Sequence, residues 1–178
     1  MTKTHKASGQ PQDELLELVD DSGSVIGTEL RSHIWEKHLK NFRVVDVFVQ
    51  NKDGQTFIMK RALDKKIFPN AYECCGEHVH PGESDRAAAR RGVNEEMQID
   101  IPENHFIFLG YTTPALDNAV GYVAVFKVVI DQQPVLGREH GSGQWMTHEE
   151  IIRLLRKDPR QFRSNVLLHI SKFARELF

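Results

Sequence analysis

The chain has 178 residues, 40% of them apolar and 27% charged, the balance of one soluble domain with a proper core. A formal net charge of -2 gives no bulk attraction to nucleic-acid polymers or membranes, and no apolar run approaches the ~20 residues that a membrane helix needs. Only Cys74 and Cys75 are cysteines, and being adjacent they imply no disulfide framework, which fits a reducing cytoplasm.

Residues 1–12, MTKTHKASGQPQ, are polar, lack the apolar segment of a secretory signal and read as a mobile tail. A single domain is expected over 13–178. LLELV at 15–19 reads as a strand, DDSG as a turn and SVIGTEL as the returning strand. A helical stretch follows at about 30–40, anchored by Ile34 and Trp35. VVDVFVQ and TFIMKR flank the turn signal Asp53-Gly54, so Val44 to Arg61 is expected to form a β-hairpin. After loop 62–71 comes the segment 76–99, GEHVHPGESDRAAARRGVNEEMQI. It opens with a Gly- and Pro-rich turn. A helix then begins with Ser84 as N-cap and Asp85 at the positive end of the dipole.

Further strands are expected at 105–111, at 121–130 inside the sheet, and at 144–146. Loop 131–143 is expected to expose Arg138, Glu139 and His140. Thr147 to Glu150 has the pattern of a capping box, so a helix starts there. Asp158-Pro159 should open a last helix, whose buried face is Phe162, Val166, Ile170, Phe173 and Leu177. Strands before and after a central helix, then terminal helices, give an α/β layered class.

The segment 77–99 resembles the Nudix signature, G-x5-E-x7-R-E-U-x-E-E-x-G-U with U a bulky aliphatic. Glu83, Arg91, Val93, Glu95, Glu96 and Ile99 match, six of the signature's nine fixed positions. Glu77 stands in place of the first Gly, Gln98 in place of the last, and Gly92 in place of the Glu of the R-E pair. The resemblance implies an α/β/α sandwich with a mixed β-sheet over a core of 42–157. The hairpin and helix of 13–41 and the helix of 158–178 lie outside that core, and are similar to the subgroup that includes isopentenyl-diphosphate isomerase.

The same resemblance implies metal-dependent cleavage of a diphosphate linkage. Glu95, Glu96 and the Gly76 carbonyl would be ligands of Mg2+ or Mn2+, a hard ion that takes oxygen donors. Glu83 would order the loop and approach the ion, and Arg91 would hold the acids in place. Glu139, six residues before Trp145, is the candidate base, with His140 as an alternative. Lys60 and Arg61 would grip the diphosphate, or equally end a strand in solvent. Phe68, Tyr72 and Trp145 could cover a substrate, although packing is the commoner role. The implied partner is a small-molecule diphosphate, and the chain would be a monomer or a homodimer.

Gly92 removes one acid from the cluster, so activity is expected to be altered, reduced or absent. Two other readings follow. An isomerase would use a Cys before the His, as in Cys75-Gly76-Glu77-His78, yet the strand 121–130 lacks the acids that such an enzyme needs. A binding module would bind a diphosphate without turnover.

Overall fold

The computed structural model describes residues 13–178, so the tail expected at 1–12 lies outside the described residues. A mixed sheet forms around β3 (Arg43–Gln50). On one side β3 runs parallel to β8 (Tyr122–Val129), and β7 (Ile107–Thr112), joined to β8 through the short α3 (Pro114–Asp117), lies antiparallel beyond it. On the other side the first half of β3 pairs with β6 (Cys75–His78), from Val44↔His78 to Val47↔Cys75. β4 (Thr56–Arg61) runs antiparallel to both β5 (Tyr72–Glu73) and β9 (His140–Met146).

Side chains alternate along a strand, so β3 and β8 each feed two cores. Val45, Val47 and Val49 join Ala124, Phe126 and Val128 beneath α2 (Asp85–Met97), which contributes Ala88, Ala89, Val93 and Met97. Phe48, Val123 and Val125 face the other way, against Ile151 of α4 (His148–Lys157) and Val166 and Ile170 of α5 (Ser164–Lys172). Burying each bulky apolar side chain contributes roughly 1.5–3 kcal/mol, so the sheet is clamped firmly from both faces. This is the α/β/α sandwich with a mixed sheet that the sequence implies. β1 (Leu15–Val19) and β2 (Val25–Leu30) form the expected separate hairpin. Leu16 packs with Ile34 of α1 (Arg31–Glu36) and with Phe42.

Several local expectations hold in detail. Ser84 Oγ accepts the Ala87 amide at 3.1 Å, and Thr147 and Glu150 make both halves of a capping box. Other expectations need correction. β3 and β4 do not form an extended hairpin; they pair only at Gln50↔Thr56. Beyond the turn β6 and β8 take the two edges of β3, and β5 and β9 those of β4. The helix predicted near 30–40 stops at Glu36, and His38 has φ 52.

The last helix is also broken. One 3-10 turn at Pro159–Gln161 gives way to extended backbone, then α5 and a short α6 (Ala174–Leu177). Phe162 packs on Tyr72, and the Arg163 amide donates to the Tyr72 carbonyl at 3.0 Å, so the chain pairs with β5 instead of continuing the helix. All five residues of the predicted buried face are nonetheless buried. No helix among the described residues is long and apolar enough to cross a membrane.

Candidate functional site

β6, the loop 79–84 and α2 form one strand–loop–helix unit on the sheet. Arg91, two turns into α2, ties it together. Its Nε and Nη2 donate to the two oxygens of Glu83 at 3.0 Å each, and Nη2 also donates to the His78 carbonyl at 2.6 Å. Nη1 lies 3.3 Å from Glu77 and 3.6 Å from Glu95. One planar guanidinium thus fixes the loop, the strand end and the outer acid of the helix. Burial alone would raise the Glu83 carboxyl, but the bonds from Arg91 and the His80 amide outweigh it and hold it below the usual range.

The predicted ligands separate into two environments. The Glu95 side chain is 56% exposed. Glu96 turns inward, with Oε2 screened from solvent and without a hydrogen-bond partner among the described residues. Burial, and then the charges of Glu77, Glu73 and Asp46, push its carboxyl well above the usual range, against a hydrogen bond from the Cys75 thiol. Glu77 is pushed up as well, first by burial. Beneath Gly76, Asp46 leaves Oδ1 unpartnered, and a Cβ at Gly76 would lie 2.7 Å from that oxygen. Gln98, at the signature's last Gly, adopts φ 56, a left-handed conformation that costs an L-residue about 1–2 kcal/mol.

Among the described residues, the three acid or imidazole side chains with ligand atoms within 4.8 Å of one another are Glu14, Glu77 and His78. Glu83, Glu95 and Glu96 do not converge that closely with a third such group. Glu14 reaches the site from the N-terminal hairpin, 3.2 Å from His78 and 2.8 Å from Arg31. The His78 bond holds its carboxyl down at about 2, against an ordinary 4.5. The folded form therefore favours the charged acid. Its stabilisation is present above about pH 4.5 and is lost as pH falls toward 2. Unfolding free energies from urea titration of wild type and Glu14→Gln should differ by on the order of 1 kcal/mol at pH 7 and converge near pH 2.

Glu139 stands one residue before β9, its side chain 69% exposed and 2.7 Å from Lys65 Nζ, which lowers its pKa. The loop carrying it lies against the C-terminal end of α2, where the Gly137 amide donates to the Glu96 carbonyl at 3.4 Å. His140 is not exposed as expected. It starts β9 with its side chain 3% exposed and 3.2 Å from Glu73. Glu73, which sequence reading passed over, is itself buried and receives Arg61 at 3.1 Å and Arg163 at 2.9 Å. Arg61 is therefore already engaged, whereas Lys60 only overlies the Tyr72 ring at 4.9 Å. Trp145 packs edge-on against Phe57 at 5.0 Å, while Phe68 is half exposed. A depression of about 400 Å3 lies along the outer side of α2, by Arg90, Asn94 and Asp100, and includes none of Glu77, Glu83, Glu95 or Glu96.

Comparison with known proteins gives this geometry its context. The NUDIX domain matches residues 40–167. A protein of Nostoc sp. named as an uncharacterized Nudix hydrolase is 34% identical over 146 residues, 81% of this chain and 86% of that one. An isopentenyl-diphosphate Delta-isomerase of Streptomyces avermitilis is 37% identical over 101 residues, 55% of this chain and 51% of the isomerase. A crystal structure from Deinococcus radiodurans superposes with a TM-score of 0.71 at 28% identity, covering 82% of this chain and 90% of that one. With its fold, the retained residues of its signature and these likenesses in agreement, the chain belongs to the Nudix hydrolase family.

Proposed function

We propose that this chain hydrolyses the diphosphate linkage of a nucleoside diphosphate derivative or a related organic diphosphate, with Mg2+ or Mn2+ bound. The observation that carries this reading is the screened, unpartnered carboxylate oxygen of Glu96, set among other acids. Such a group is costly to bury charged unless a proton or a cation joins it, and a cation answers the charge of the whole acid cluster at once. The acids named as ligands, and the Gly76 carbonyl, offer oxygens, which suits a hard divalent ion. Glu95, Glu96 and the Gly76 carbonyl would hold the ion, with Glu83 and Arg91 fixing the loop and helix around it. Bound there, it would neutralise the charge that builds up on the diphosphate.

Glu139 is proposed to take the proton of the attacking water as the new phosphorus–oxygen bond forms and the bridging one breaks. Lys65 keeps that carboxylate ionised and ready to accept. Lys60 is the freer of the two basic groups at the end of β4 for holding the substrate. A panel of nucleoside and organic diphosphates, assayed for released phosphate and monophosphate with either metal, tests the reading. At least one should turn over. No product anywhere in the panel would reject hydrolysis in favour of a binding module.

The isomerase likeness supports a second reading, in which Cys75 acts on the substrate. Cys75 is 1% exposed, and burial together with Glu96 raises its thiol well above the usual range. β8 carries no acid at all. Both features favour hydrolysis. Cys74 and Cys75 should accordingly react with a disulfide reagent at least about 100-fold more slowly in the native chain than in denaturant, since the thiolate is the reactive form. Fast native labelling would revive the isomerase reading.

A further inference from the structure

Two departures from the signature are in contact. A Cβ built on Gly92 would lie 3.0 Å from Glu77 Cβ, 3.5 Å from Glu77 Cγ and 3.4 Å from Cys75 Sγ. The side chain of Glu77 thus fills the space into which a side chain at 92 would grow. Its carboxylate reaches the same Arg91 Nη1 that meets Glu95. Position 77 ordinarily carries Gly and position 92 ordinarily carries Glu, so the two residue types have changed places across the strand–helix contact.

We infer that Glu77 supplies from β6 the metal-binding carboxylate that the signature places on the helix, and that Gly92 is small in order to admit it. The inference rests on the metal-dependent reading above and deepens it. The site is rebuilt rather than handicapped, with the number of acids preserved and one of them moved from helix to strand. The buried, unpartnered oxygen of Glu96 provides the independent sign of a cation at this place. The structural cost also has a reason. A glycine within α2 sacrifices about 1 kcal/mol of helix propensity, yet any side chain at 92 would press on Glu77 and Cys75 at the packed face of the helix.

The exchange is reversible by design, which makes it testable on the full chain by two measurements. Binding of Mn2+, followed by the paramagnetic signal of the free ion, reads the site directly, and melting curves report folding. Glu77→Gln, which keeps the shape and removes the charge, should weaken Mn2+ binding about 10-fold or more while melting near wild type. Gly92→Glu alone should bind Mn2+ no better than wild type and melt lower, because two side chains contend for one space. Glu77→Gly should lose binding, and Glu77→Gly with Gly92→Glu should recover most of it, a non-additivity expected only of residues in contact.

Wild-type Mn2+ affinity in Glu77→Gln, or a double variant no better than Glu77→Gly, would overturn the inference. Glu96→Gln separates it from the reading beneath. Loss of Mn2+ in Glu96→Gln with full binding in Glu77→Gln would sink the exchange alone. Full binding and turnover in Glu96→Gln would sink the metal site itself. Loss of binding in His78→Ala but not in Glu96→Gln would move the ion to Glu14, Glu77 and His78, and this too would overturn the inference.

Discussion

Glu96→Gln is expected to lower hydrolysis of any accepted diphosphate by more than about 100-fold, while the variant melts at or above the wild-type temperature. The two halves of this result have one cause. Burial and neighbouring acids raise the Glu96 carboxyl well above the ordinary 4.5. The unfolded chain at pH 7 therefore favours the charged form more than the folded chain does, and a neutral amide removes that penalty. A carboxylate kept for packing would behave in the opposite way, losing stability on substitution with activity following only through unfolding. A loss of about 100-fold corresponds to about 2.7 kcal/mol of transition-state stabilisation, well above assay error. Turnover within a few-fold of wild type would remove Glu96 from the chemistry.

Glu73→Ala should be the most damaging change to stability. Glu73 is 3% exposed and receives Arg61, Arg163 and His140. Burial raises its carboxyl, but the bonds from His140 and Arg163 outweigh that and keep it ionised. Removing it leaves two partly buried guanidinium groups and a buried imidazole without their shared acid. Breaking such a buried pair costs about 3–5 kcal/mol, or roughly 6 to 20 °C in melting temperature for a chain of this size. These partners come from β4, β9 and the segment before α5, so the damage should spread through the edge of the sheet and the C-terminal helices. A melting temperature within about 2 °C of wild type would show that the network contributes little.

The network also changes how Arg61 is read. In sequence, Arg61 reads equally as a diphosphate ligand or as the solvated end of a strand. In the fold its guanidinium donates to Glu73 and to the Ile67 carbonyl. A surface cation and a buried partner are indistinguishable in sequence, because the difference is set by residues 12 and 102 positions away, Glu73 and Arg163.

Features that depend on near neighbours are legible in the sequence. Ser84 caps α2, Thr147 and Glu150 cap α4, and the apolar rhythm from Phe162 to Leu177 marks a buried face, because each effect acts within a few residues along the chain. The β-branched run at 44–50 likewise announced a strand. The resemblance to the signature implied that Arg91 holds the acids in place, and in the fold it donates to Glu83. Long-range packing sets which strands pair, which acids turn inward and which cations are already engaged. β3 and β4 part after one residue pair because long-range edges compete for them. Gly92 and Glu77 read separately as two losses, and their contact becomes visible only when β6 lies under α2, since packing volume is shared between elements and belongs to neither sequence segment alone.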